Sequence, residues 1–143
     1  MSSEDTMAVA VHEAGHAVIH LAEGGSFRYV TLRPRLTGRH GHVYGVRSPS
    51  PATLLAGPIA KAVWDDAEDF SLHMVEQGGC DDIEGFFELV QDEEAGAWFE
   101  RTGELVLKHW DEILMVATLL ERDRTVTVRQ VRALLNVMRN EAA

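Results

Sequence analysis

Two histidines and one glutamate within five residues have the types and spacing needed to bind and use a metal ion. His12 and His16 are four residues apart, so on a helix their side chains lie one above the other on the same face. Both imidazoles can therefore reach a single Zn²⁺ at about 2.0–2.1 Å. Glu13 lies one step round the helix, where its carboxylate can accept a proton from water at the metal. The alternative interpretation is an amphipathic helix that carries two histidines, one of them packed in the core.

The helix that positions this motif is predicted to extend from Thr6 to Ala22. Hydroxyl and acidic residues at positions 2–5 resemble a capping box at its start, and Gly24-Gly25 is a typical helix end. Apolar residues recur at helical spacing, namely Val11, Ala14, Val18 and Leu21. This pattern predicts a buried helix, which would hold metal ligands rigidly.

The acidic residues and the remaining histidines could supply a third metal ligand. Asp81 and Asp82 precede an apolar repeat of helical spacing, formed by Ile83, Phe86, Phe87 and Val90. Both aspartates are therefore expected in the first turn of a helix, where the helix dipole favours a carboxylate. Capping is the preferred explanation for Asp81, and Asp82 is the more interesting of the two. Other conceivable ligands, more commonly found as polar surface, are His40, His42, Glu68, His73 and Glu76.

A small antiparallel sheet is predicted beside this helix. Phe27 to Arg33 alternates and is rich in aromatic and β-branched residues, which is typical of a strand, and Pro34 ends it. Residues 35–41 are predicted to be a loop, and His42 to Arg47 a second strand antiparallel to the first. A free edge strand could bind an extended peptide through main-chain hydrogen bonds.

The next helix is predicted to begin at Ser50-Pro51, with Ser50 as the N-cap. Pro58 falls inside its apolar pattern and predicts a kink or a break near Leu54 to Gly57. The buried face is expected to consist of Leu54, Leu55, Ile59, Ala62 and Val63.

The remaining segments are also predicted to be helical. They comprise a short helix at Phe70 to Val75 and one long helix at Ala95 to Glu121, with His109 as part of its packing. Thr127 to Gln130 is a capping box before a last helix, whose apolar face is Val131, Leu134, Leu135 and Met138. The predicted fold class is therefore mainly α (α+β), with a small antiparallel hairpin or sheet beside the metal helix.

Composition limits the class of protein. The chain of 143 residues suits a single domain, residues 1–143, and its only cysteine, Cys80, excludes an internal disulfide and a Cys-rich zinc finger. An acidic start without an apolar signal region, and a longest apolar run of only Ile113 to Leu120, predict a soluble, cytoplasmic protein.

Charge limits the partners. A net charge of −10 argues against nucleic acid. Basic residues without any acid lie between Ser26 and Trp64, and 12 acids without Lys or Arg lie between Asp65 and Glu94. This segregation favours either two solvated faces that attract each other or an acidic rim around a metal site, which would favour basic peptides.

Four stretches, in this order, resemble the peptidase domain of the FtsH-type ATP-dependent zinc metalloproteases. They are Val11 to Val18, Tyr29 to Arg35 followed by Gly41-His42-Val43, Leu54 to Gly57, and Gly79 to Ile83, and the likeness continues into the last helices. The resemblance implies that His12, His16 and Asp82 bind Zn²⁺ and that Glu13 is the general base. Two imidazoles and one carboxylate would leave a fourth position for water, as a catalytic zinc site requires.

Three departures from the family pattern affect the expected function. Lys61 and Ala62 replace the paired acids of the family, and Pro58 stands where Arg is usual. The chain also contains no phosphate-binding loop, no ATPase module and no membrane anchor. We therefore expect a zinc endopeptidase that cuts unfolded or flexible segments, unless an ATPase partner acts in trans.

Two alternatives remain open at this point. The chain could be a non-catalytic, metal-stabilised adaptor that uses the peptidase fold to bind a partner, because the ATPase and the paired acids are missing. The third ligand could also be a glutamate such as Glu68 or Glu76. The family works as rings, so a homo-oligomer is possible.

Overall fold

The computed structural model describes residues 3–34, 40–69 and 81–142. Its elements follow the chain in this order: α1 (Ser3–Ala22), β1 (Tyr29–Pro34), β2 (His40–Tyr44), α2 (Pro51–Trp64), α3 (Asp81–Leu89), α4 (Asp92–Lys108), α5 (Trp110–Asp123), β3 (Thr125–Thr127) and α6 (Val128–Ala142). The fold is mainly helical with one small antiparallel sheet, which confirms the predicted fold class.

Helix α1 lies at the centre of the fold and packs against α2, α5 and the first two strands. It begins three residues earlier than predicted and ends at Ala22, followed by Gly24 in a left-handed conformation (φ +87°). Gly15 lets α2 approach closely, because a Cβ there would lie 2.6 Å from the carbonyl oxygen of Ala56 and 2.7 Å from Cβ of Ala60. The contact between α1 and α2 therefore depends on a residue without a side chain.

Helix α2 starts where the sequence predicts. The Ser50 hydroxyl accepts a hydrogen bond from the Thr53 N–H (3.0 Å), and proline occupies the first turn. The helix then continues through Pro58 to Trp64, so of the two outcomes predicted there, a kink or a break, the break is wrong. Pro58 cannot donate to the carbonyl of Leu54, but α2 is packed by α1, α3 and α4, and burial of its apolar face offsets the missing bond.

The sheet has the strand order β2-β1-β3, and both pairings are antiparallel. Val30 pairs with Val43 on one side and with Val126 on the other, and this face of the sheet covers the core. The second strand is earlier than predicted, because it ends at Tyr44 and Gly45 takes a positive φ of +89°. The three-residue strand β3 was not predicted, since so short a segment has no measurable alternation.

The predicted long helix is wrong, because it is two helices, α4 and α5, that meet at His109. The backbone of His109 leaves helical geometry (φ −101°, ψ 17°). Its Nδ1 lies 2.6 Å from Oε1 of Glu112, in the first turn of α5. The apolar repeat continues on both sides of the junction, with Val106 and Ile113 fully buried, so periodicity could not reveal the break.

Helices α3 and α6 lie close to their predicted positions. In α3, Phe86 is buried, but Phe87 is 44% exposed, so the predicted apolar face was one residue too wide. The predicted capping box at the start of α6 is confirmed: the Thr127 hydroxyl accepts from the Gln130 N–H, and Oε1 of Gln130 accepts from the Thr127 N–H. Its predicted face packs on the core, with Val131 and Leu135 buried and Leu134 and Met138 partly buried.

Some expectations fall on residues that the structure does not describe. The short helix predicted at Phe70 to Val75 lies outside them, and so do His73, Glu76 and Cys80. Among the helices that are described, none is both long enough and apolar enough to cross a membrane.

Candidate metal centre

Three side chains from two helices converge at one point. His12 and His16 come from α1, and Asp82 comes from the first turn of α3. One carboxylate oxygen of Asp82, Oδ2, lies 3.0 Å from Nε2 of His12 and 2.9 Å from Nε2 of His16, and these two nitrogens are 3.2 Å apart. The three residues form a group that could hold a metal ion.

The donor set fits a divalent cation. In a tetrahedral zinc site with bonds of about 2.0–2.1 Å, neighbouring ligand atoms are about 3.3–3.4 Å apart. The three separations between His12, His16 and Asp82 are each within about half an ångström of that length. Two imidazole nitrogens and one carboxylate oxygen suit zinc, and other divalent transition metals also accept this combination.

His16 is held in the orientation that a metal ligand needs. Its Nδ1–H donates to the backbone carbonyl of Thr53 at 2.7 Å, so Nε2 faces Asp82. The ring also lies directly against Gly57, where a Cβ would overlap the imidazole. An outer hydrogen bond of this kind fixes the tautomer of a ligating histidine and strengthens it as a ligand.

The electrostatics of the group favour a positive charge. Burial alone would lower the pKa of His16, but the adjacent Asp82 carboxylate, with a smaller contribution from Glu13, raises that pKa to about 9. Burial would raise the pKa of Asp82, yet the His16 charge and hydrogen bonds from both imidazoles hold it far below its usual range. His16 and Asp82 thus form an ion pair at neutral pH, and a metal ion must displace the His16 proton to bind.

Glu13 lies beside the metal group but is not one of its three members. The residue is buried, and its Oε1 is 3.7 Å from Nε2 of His12. On its other side is strand β2, where a Cβ added to Gly41 would lie 3.2 Å from Cγ of Glu13. Glu13 is therefore close both to a possible metal ligand and to β2, an outer strand of the described sheet.

The other residues considered as ligands take different positions. The His42 ring contacts Tyr29 and Tyr44 on the sheet, and Asp81 and Glu68 are exposed. Within the described ranges, no second group of three or more histidine, cysteine and acidic side chains is close enough to share an ion. The side chain of His40 is outside the described part, as are residues 73 and 76.

The departures at positions 61 and 62 also have a structural account. Lys61 lies in the last turn of α2, where the helix dipole favours a cation, and its Nζ is 2.6 Å from Oδ2 of Asp65. Ala62 is fully buried in the core. Neither side chain belongs to the metal group.

Sequence reasoning missed three residues around the histidines. Thr53 acts through its backbone carbonyl, which leaves no signal in a residue type, and no sequence signal indicated that Gly57 lies against a ligand. His20 was detectable, because it follows His16 by four residues just as His16 follows His12.

The arrangement can therefore hold a cation and place a buried carboxylate next to it. Comparison of the chain with protein-family models gives no match, and comparison with curated proteins gives none either. What the centre does must consequently be inferred from His12, Glu13, His16 and Asp82 themselves.

Proposed function

We propose that this chain is a zinc-dependent endopeptidase that hydrolyses unfolded or flexible protein segments. The observation that supports this most directly is the convergence of His12, His16 and Asp82 through one carboxylate oxygen, with Glu13 next to them. A metal group that served only to stabilise the fold would have no need of the adjacent buried carboxylate.

The residues of the chain have distinct roles in this proposal. His12, His16 and Asp82 hold the zinc, which when bound supplies a Lewis acid for water and for the peptide carbonyl. Glu13 accepts the proton of the attacking water and then delivers it to the leaving amine. The Glu13 side chain is buried next to β2, and this burial keeps its carboxylate close to the reacting atoms and partly shielded from bulk solvent.

The position of strand β2 favours an extended peptide as the substrate. It is one of the two outer strands of the described sheet and passes Glu13 at Gly41. A peptide that added to this edge through main-chain hydrogen bonds would have its backbone near the base, and little of its sequence would be read. Only unfolded or flexible segments can adopt the extended form that such pairing requires. The acidic residues between positions 65 and 94 would favour substrate segments that are basic.

The test is metal analysis combined with cleavage of an unstructured protein such as casein. We expect about one zinc per chain in the purified protein and measurable cleavage. Glu13→Gln should keep the zinc and lower cleavage by at least about a hundredfold, because the amide cannot accept the proton. Glu4→Gln is the matched control: Glu4 is exposed in the same helix, and its substitution should leave the rate unchanged.

Two results would count against the peptidase. If Glu13→Gln cut casein as fast as the wild type, the proposed role of Glu13 would be wrong. If the wild type held zinc but cut none of several unfolded substrates, and Glu13→Gln still retained a binding partner, the chain would instead be a metal-stabilised binding module.

A further inference from the structure

A third histidine lies on the same face of α1 as the two possible ligands. His20 is one helical turn beyond His16 and is buried, yet it does not belong to the metal group. Its Nδ1 is 3.0 Å from the Thr53 hydroxyl, and its Nε2 is 3.1 Å from the Ser26 carbonyl oxygen. His20 therefore connects the end of α1 to the first turn of α2.

The partners of His20 define the direction of each hydrogen bond when the imidazole is neutral. The Ser26 carbonyl can only accept, so Nε2 carries the proton and Nδ1 accepts from the Thr53 hydroxyl. The Thr53 N–H donates to Ser50, whose hydroxyl donates to the Glu23 carboxylate at 2.5 Å. The Ser50 hydroxyl and Glu23 are 3.1 and 3.3 Å from the Thr53 hydroxyl, both farther than His20 is. Each donor in this network thus has an acceptor.

Thr53 joins this network to the metal group. Its hydroxyl contacts His20, while its backbone carbonyl accepts from Nδ1–H of His16 at 2.7 Å. The residue is almost completely buried, with 3% exposure. A displacement of this turn of α2 would therefore move the acceptor that orients His16.

We propose that Thr53 and His20 are positioning residues for the His16 ligand. The His20 imidazole anchors the Thr53 hydroxyl, and this anchor holds the Thr53 carbonyl where it keeps Nε2 of His16 directed at the metal. The inference rests on the proposed metal site but not on peptidase activity. Loss of an outer hydrogen bond to a ligand typically weakens metal binding about 10–100-fold. Because the carbonyl itself remains, we expect an effect near the lower end of that range.

The first experiment compares variants of two buried threonines by chelator competition for zinc. Thr53→Val removes the hydroxyl and should weaken zinc binding about tenfold, whereas Thr53→Ser keeps a hydroxyl and should stay within about twofold of the wild type. Thr102→Val is the matched control, since Thr102 is fully buried in α4 and its hydroxyl has no hydrogen-bond partner among the described residues. Equal zinc affinity of Thr53→Val and wild type would overturn the proposal.

The second experiment separates the two contacts of His20. Asn can place a polar atom near the position of Nδ1, whereas Gln reaches toward the position of Nε2. His20→Asn should therefore retain the link to Thr53 and bind zinc nearly as tightly as the wild type. His20→Gln keeps only the link to Ser26 and should bind about tenfold more weakly. The reverse order of affinities would contradict the proposed anchor.

A spectroscopic readout needs no zinc and is also informative if Thr53→Val folds poorly. In the metal-free wild type, NMR should detect a slowly exchanging Nδ1 proton on His16, because that proton is bonded to the buried Thr53 carbonyl. The proton should persist in His20→Asn and exchange faster in His20→Gln. Equal exchange in the two would refute the positioning role. If the zinc-loaded wild type cut none of several unfolded substrates, that result would count against the peptidase proposal only.

Discussion

At the residue scale, one oxygen atom of Asp82 completes the metal group. Both imidazoles face this oxygen within 3.0 Å, whereas its neighbour in sequence, Asp81, is exposed and does not belong to the metal group. Two adjacent aspartates in one helical turn thus have different roles. One provides a natural control for the other.

This difference gives a direct prediction. Asp82→Asn keeps the size of the side chain but removes the charge, and we expect zinc affinity to fall by at least about a hundredfold. Asp81→Asn removes the same charge from the same turn and should leave affinity within about twofold of the wild type. Chelator competition measures both. Loss of zinc on Glu68→Ala or Glu76→Ala, but not on Asp82→Asn, would instead assign the third ligand to a glutamate.

How far the sequence could predict this group differs from residue to residue. His12 and His16 are evident because helical spacing is local information. Asp82 follows them by 70 and 66 positions, and its role as a metal ligand was implied by the family resemblance. Thr53 could not be found, because a backbone carbonyl is present in every residue. Long-range contacts and main-chain acceptors are thus what a single sequence conceals.

At the element scale, the contact between α1 and α2 brings the His16 ring to its acceptor. Gly15 and Gly57 permit this contact, since a side chain on either would meet the opposite helix. Both glycines are inside helices, where glycine is intrinsically unfavourable by about 0.5–1 kcal/mol relative to alanine. Close helix packing compensates for this cost.

We predict that Gly15→Ala destabilises the protein by about 1–3 kcal/mol, because the new methyl group would overlap the backbone of α2. Gly96→Ala is the matched control. Gly96 lies inside α4 with open space around it, so the same change should stabilise the protein by about 0.5–1 kcal/mol. Urea unfolding gives both values, and a neutral Gly15→Ala would show that the two helices can move apart without loss.

The elements themselves were predicted unevenly, for identifiable reasons. The starts of α2 and α6 carry side-chain caps at Ser50 and Thr127, which are local signals. The junction at His109 has no glycine or proline to mark it, and the apolar repeat continues across it. Pro58 gave a misleading signal, since packing from three neighbouring helices outweighs one lost hydrogen bond.

At the scale of the whole molecule, a metal ion would connect the amino-terminal helix α1 to α3. Its ligands come together only in the folded chain, so zinc should bind the native state far more tightly than the unfolded one. The pairing of His16 with Asp82 gives the same connection in the absence of metal. Metal binding and folding are therefore expected to be linked.

We predict that zinc at a hundred times its dissociation constant stabilises the fold by about 2.7 kcal/mol, or about 5–10 °C in Tm. Thermal unfolding with added zinc and with a chelator measures the shift. Asp82→Asn should show almost none, because its native state has lost the preferential binding. An unchanged Tm of the wild type after complete removal of zinc would contradict the linkage.

The distance along the chain between the histidines and Asp82 has a consequence for biosynthesis. A nascent polypeptide displays His12, Glu13 and His16 long before the ribosome adds the aspartate 66 positions after the second histidine. During that interval the motif is present but the centre is incomplete. Any hydrolytic capacity would thus arise only once α3 has docked, which would protect the emerging chain and its neighbours from premature attack.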